Sequence, residues 1–278
     1  MELAKLARRP RSWASVALLC LLPVVVAVFV AVTHLAPAPG QGPALLSAVL
    51  TNGSLYPAAA LAVVLPIFLP VAVAVTAGDS IAGEASSGML RYLIARPVGR
   101  TRLLLAKLVT LIVYVLIAVV AVAVTSYATG TILFGSKPVA VTASGVTTSN
   151  LAAISLSGTS ITPAQVLVRT LGAVAFITVS MLGVGAIALF LSTVADSALG
   201  AALGALAGLV TSEVLVTLSA AAAVSPYLPT RYWLAWVDFF REPILWRNID
   251  RGFAVQAVYV AVFLGAAWAN FATKDITS

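Results

Sequence analysis

The side chains able to do chemistry are few in this 278-residue chain: sixteen Lys and Arg, nine Asp and Glu, one His and one Cys. His34 stands alone, so no Ser-His-Asp set can form, and no carboxylates are paired in a plausible hydrolytic site. Cys20 sits inside an apolar run, which excludes an intrachain disulfide or a Cys-based metal cluster and reads as packing. No G-x-x-x-x-G-K-[ST] stretch is present to cradle a phosphate. The expectation is a chain with no catalytic residue, no metal and no cofactor of its own.

Two ionisable residues fall where charge is expensive. Arg169 and Glu213 lie within long apolar runs, and a charge in lipid costs several kcal/mol unless paired or hydrated. Glu213 lies about 15 residues into its run, roughly 22 Å at 1.5 Å per residue, and Arg169 falls at a similar depth from the same side. They are candidates for an intramembrane ion pair, within one chain or across a dimer; separate snorkelling to the interface is the plainer alternative. Gly200, Gly204 and Gly208 recur every four residues near Glu213. Such a ribbon lets helix backbones approach closely, either within the subunit or at a two-fold dimer interface.

The elements that carry these residues follow from composition. The chain is 61% hydrophobic and 9% charged, against roughly 25% charged for a soluble domain, and its mean hydropathy is +1.08. A water-soluble globule is excluded. The net charge of +7 is read by position, as topology, and not as a nucleic-acid footprint. A helix crossing about 30 Å of hydrocarbon needs roughly 20 apolar residues. Six runs qualify: 13–32, 56–77, 103–134, 166–194, 198–221 and 253–271. The first is too long for a signal-peptide core and is read as a retained helix. The expectation is an all-α, multi-pass protein of the cell membrane with one transmembrane domain over residues 1–278.

Basic residues set the orientation. With the N-terminus inside, Lys5, Arg8, Arg9, Arg11, Arg91, Arg96, Arg100, Arg102, Lys107 and Lys274 are cytoplasmic, ten of the sixteen. The four arginines before the last run (Arg231, Arg241, Arg247 and Arg251) argue the other way, but the balance favours both termini inside. Outer loops then cover 33–55, 135–165 and 222–252, and Asn52-Gly53-Ser54 reads as a turn. Pro23, Pro66 and Pro70 are expected to kink the first two spans. The aromatic group Tyr232, Trp233, Trp236, Phe239, Phe240 and Trp246 is expected as an interfacial belt.

Between the second and third spans, residues 78–100 carry a different pattern. At 100° per residue Ile81, Ala85, Met89, Tyr92 and Leu93 share one side, while Ser80, Glu84, Ser87 and Arg91 gather opposite. The pattern predicts an amphipathic cytoplasmic helix ended by Pro97 and Gly99. Arg100, Arg102 and Lys107 then meet the headgroups, with Lys107 snorkelling from the third helix. By itself such a helix could simply anchor a loop.

The residues Asp79-x-Ile81-x-Gly83-Glu84, then Gly88, then Arg96-Pro97-Val98-x-Arg100 and Lys107, resemble the signature of ABC transporter permeases of the type-2 exporter family. Leu228-Pro229-Thr230-Arg231-Tyr232-Trp233 and the ending Phe271-Ala272-Thr273-Lys274-Asp275 are also similar to that family. Met89 and Gly99 depart from it, where many relatives carry Thr and Ser. The resemblance implies a permease subunit without its own ATPase, acting with a second copy or close homologue and two ATP-binding subunits that hold ATP and Mg. It implies that Glu84, Ser87, Gly88, Arg91, Pro97 and Arg100 form the ATPase contact, and that the glycine helix lies near the dimer axis. Mostly apolar spans suit a lipophilic or amphipathic cargo such as a drug, antibiotic or lipid-like molecule. Two other classes stay open on the residues alone: an ion- or proton-coupled transporter using Glu213, and a membrane scaffold that moves nothing.

Overall fold

Pro10 opens the first long helix at the position where a missing N–H costs nothing. A short helix α1 (Glu2–Arg8) precedes it, and Arg9 forms the joint before α2 (Pro10–Thr33). The computed structural model describes residues 2–33, 53–86, 100–135, 153–157 and 159–273. Val16, Leu19, Pro23, Ala27 and Val30 form the buried stripe of α2, at spacings of three or four. Leu18, Leu21, Val25, Phe29 and Val32 face outward. A helix apolar on every side with only a narrow packed seam is one whose surroundings are lipid.

The second apolar run is not one helix. It comprises α3 (Tyr56–Val64) and α4 (Phe68–Asp79), bent by 59° at the intervening break. Pro66 and Pro70 supply the cause: neither has an N–H, so the carbonyls of Ala62 and Pro66 lose their donors four residues on. The break exposes Ile67 and Phe68. By contrast α3 is almost wholly buried, and Ala58, Ala59, Ala60 and Ala62 bring it close to the next long helix, Arg100–Phe134. Between them, α5 (Ala82–Ser86) is a short turn of helix.

The remaining spans are α6 (Arg100–Phe134), α7 (Pro163–Val194), α8 (Ala198–Thr217) and α9 (Trp246–Thr273). Helix α7 begins at a capping box, in which Thr162 and Gln165 each satisfy the other's backbone N–H. It is the central element, buried against α4, α6, α8 and α9. Helix α8 stops at Thr217, short of the expected 221, and α9 starts seven residues before the expected 253.

Among the described residues five helices are each long and apolar enough to cross a membrane, and the bent α3–α4 pair makes a sixth span if counted as one. This is a multi-pass, essentially all-helical membrane protein. The helix ends sort into two groups. At one end Trp268 donates to Thr101 at 3.1 Å and Asn270 to Thr193 Oγ1 at 2.9 Å, joining the ends of α7 and α9 to the start of α6. At the other end, Gly53 N–H donates to Gly135 O at 3.1 Å.

That second end is capped by the expected aromatic group, which does not form a belt. Trp236 and Phe240 are fully buried, and Trp233 and Phe239 nearly so. A 3₁₀ segment, Ala235–Phe240, folds them inward. Trp236 meets Phe240 edge-on at 6.2 Å, and Phe239 meets Trp246 at 5.8 Å. Only Trp246 of the six shows most of an indole outward. A two-residue antiparallel pairing, β1 (Ala153–Ile154) with β2 (Ser160–Ile161), is tied to this cap, Leu156 N–H donating to Phe240 O at 2.9 Å.

Candidate functional site

At the end of the bundle opposite the aromatic cap, helix α4 terminates on a chain of polar contacts. Glu84, on α5, turns its carboxylate inward and is 3% exposed. Lys107 of α6 donates to Glu84 Oε2 at 2.6 Å, and Lys5 of α1 donates to Oε1 at 3.3 Å. Lys107 also donates to the Ser80 carbonyl. Beside them, at the rim, Arg9 pairs with Asp79 at 3.1 Å. Three stretches far apart in sequence, around residues 5–9, 79–84 and 107, therefore meet on two carboxylates separated by five residues.

A second clasp holds the same turn. The hydroxyl of Ser192, near the end of α7, donates to Gly78 O at 2.7 Å and accepts from Ile81 N–H at 3.1 Å and Ala82 N–H at 2.9 Å. These are backbone groups freed where α4 ends, and one side chain satisfies three of them. Gly78 is required here: a Cβ would lie 3.0 Å from Ala202 N and 3.1 Å from Ala198 O of α8. Ser192→Ala leaves two buried donors and an acceptor unpaired, at a cost of about 1–3 kcal/mol. Faster amide exchange at Ile81 and Ala82 than in the parent is the expected readout, and unchanged exchange would mean that water or a neighbour replaces the hydroxyl.

These contacts correct two expectations. Glu84 does not lie on an outward polar stripe, because Lys107 and Lys5 draw it into the bundle. Lys107 is 4% exposed and does not snorkel to headgroups. Ser87, Gly88, Arg91 and Pro97 lie outside the described residues; the backbone of Arg100 opens α6, and its side chain is also outside them. Lys5, Arg9 and Asp79 are the participants that helical periodicity missed. Their only signal was an acidic pair between basic flanks, and Ser192 gave none.

Arg169 and Glu213 are not paired within the chain. Arg169 is 6% exposed and pairs with the Glu242 carboxylate, and it donates to Arg241 O at 3.3 Å. Glu213 faces outward from α8, whereas its neighbour Ser212 faces in and bonds Thr230 at 2.8 Å. The two residues have similar depth but point in different directions around the bundle. Gly200, Gly204 and Gly208 are exposed as well. Helix α8 packs through Ala201, Ala202, Ala205, Leu209 and Ser212, so the glycine side is not its main packing face within the subunit.

A family model described as "Protein of unknown function (DUF2705)" matches residues 45–277, most of the chain. The chain belongs to the DUF2705 family. No curated protein matches it. The match takes in α3 to α9, and with them Asp79, Glu84, Lys107 and Ser192; Lys5 and Arg9 precede it. Among the described residues of this DUF2705 chain no group of three or more His, Cys, Asp or Glu could hold a metal. What this arrangement can do is mechanical: the ionic cluster and the Ser192 hydroxyl together fix α1, α4, α5, α6 and α7 to one another at one turn.

Proposed function

We propose that this chain is the transmembrane permease subunit of an ATP-driven ABC exporter, moving a lipophilic or amphipathic cargo. The α3–α4 pair counts as one crossing in this reading, giving six spans with both termini cytoplasmic and the Glu84 cluster on the cytoplasmic side of the cell membrane. Two copies, or one with a close homologue, enclose the path, and two separate ATP-binding subunits work it.

One observation carries the reading: the turn that leads into the resembling stretch is bonded to α1, α6 and α7 through Glu84 and Ser192. A push delivered just beyond Ser86 reaches several helices at once through the buried contacts of Glu84 and Ser192. Glu84 is then a transmitter of force, with the contact itself falling to Ser87, Gly88, Arg91, Pro97 and Arg100. The exposed glycine side of α8 is free for the second copy.

The test is purification of the tagged chain from its native membrane, followed by reconstitution in liposomes. A co-purifying P-loop ATPase and ATP-dependent movement of a lipophilic dye are expected. Both should fail when the partner's catalytic carboxylate is replaced. Dye movement by the chain alone, driven by a pH gradient, would point to a proton-coupled carrier using Glu213; no movement under either condition would leave a scaffold.

A further inference from the structure

Beside the ionic cluster lies a cleft of about 920 Å³ between α1–α2, α4 and the start of α8, within the range of about 300–1,000 Å³ typical of small-molecule sites. Its walls are apolar: Leu18 on α2, Ile67 at the break, Phe68, Val71 and Val75 on α4, and Leu199 on α8. All six are among the more exposed large hydrophobics of the chain, so the cleft opens toward hydrocarbon. Its rim is charged.

The charges at that rim do not cancel. Lys5 and Lys107 share Glu84, and Arg9 pairs with Asp79. Arg11 also lines the cleft, is exposed, and has no acidic partner among the described residues. Arg11 therefore adds a positive charge at the mouth that no described carboxylate pairs. The apolar wall runs from Val75 to Ile67, eight residues or about 12 Å of helix, close to the roughly 15 Å of one leaflet of a 30 Å hydrocarbon core.

We propose that this cleft is a binding site for an anionic phospholipid of the leaflet at the charged end, its phosphate against Arg11 and Arg9 and an acyl chain along α4. The open break at Pro66 forms the inner end of the slot. A zwitterionic lipid would fill the walls but leave the surplus charge unmatched. The inference requires only that the chain lies in a membrane and is independent of any ATPase.

The experiment is native mass spectrometry of the full chain in detergent, titrated with phosphatidylglycerol or phosphatidylcholine of identical acyl chains. Phosphatidylglycerol should be retained preferentially. Arg11→Gln should weaken it about fivefold, since one Lys or Arg near an anionic surface is worth about that factor, and should leave phosphatidylcholine unchanged. Val75→Trp, which fills the slot at an exposed position, should lower phosphatidylglycerol retention with Arg11 intact. Equal retention of the two lipids overturns the proposal. So does Arg11→Gln without effect, or Val75→Trp without effect, which would mean surface adsorption. Displacement by inorganic phosphate alone at matched concentration would make it a free-anion site and overturn it also.

Discussion

Glu84→Gln is expected to destabilise the protein by about 3–5 kcal/mol, because it removes the buried carboxylate that faces the buried Lys107 ammonium. The pair is buried on both sides, with side chains 3% and 4% exposed and a separation of 2.6 Å. An unpaired charge at such a position cannot recover its hydration, whereas the pair was tolerable because each ion solvates the other. Lys5 is a third exposed and can turn to water, so its loss should be milder. The neighbouring Arg9–Asp79 pair is 44% and 37% exposed, and Arg9→Gln should cost no more than about 1 kcal/mol.

The decisive measurement is a double-mutant cycle by thermal unfolding in detergent at fixed scan rate. Glu84→Gln with Lys107→Met should recover much of the loss, giving an interaction energy well outside the additive range of about 0.5 kcal/mol. Additive losses would mean that each residue acts through other contacts and that the cluster is not a single unit. Under the exporter reading proposed above, Glu84→Gln in a reconstituted complex should loosen the link between ATP turnover and cargo movement, since it frees the turn from α6.

Five of the six apolar runs were legible as helices of spanning length, because length and hydropathy decide whether a helix can cross a bilayer; the second run is the bent α3–α4 pair. The boundaries moved where polar residues continue a helix: Arg247, Asn248, Asp250 and Arg251 lie in the first turns of α9, before the apolar run begins. The kink at Pro66 and Pro70 was legible from proline's missing donors, but its size was not, since 59° depends on what α3 and α4 pack against. The inward turn of Glu84 was illegible. Helical periodicity places a carboxylate on the polar side, and only partners 23 and 79 residues away reverse that choice. Arg169 followed the same rule: its carboxylate comes from Glu242, just beyond the 3₁₀ segment of the aromatic cap. Apolar patterning reports on solvent, whereas charge pairing reports on tertiary neighbours.

Gly130→Ala tests the tightest backbone contact in the bundle, and it is expected to cost at least the upper end of the about 1–3 kcal/mol of ordinary overpacking. A Cβ there would lie 2.5 Å from Gly53 O and 2.5 Å from Tyr56 Cβ. Neither can move aside cheaply. Gly53 is held through its N–H by Gly135, and the fully buried Tyr56 donates its hydroxyl to the Pro23 carbonyl while its ring packs on Phe134 at 5.9 Å. Helices α3 and α6 would have to separate, and in lipid close packing of this kind supplies much of what holds two helices together, since burying apolar surface gains nothing there. The control is Gly265→Ala on α9, where a Cβ meets nothing within 4 Å and the helix gains rather than loses from alanine. A lower unfolding midpoint for Gly130→Ala alone is the expected result. Equal midpoints would mean that α3 can withdraw from α6 at no cost, and that Tyr56 does not pin the broken span.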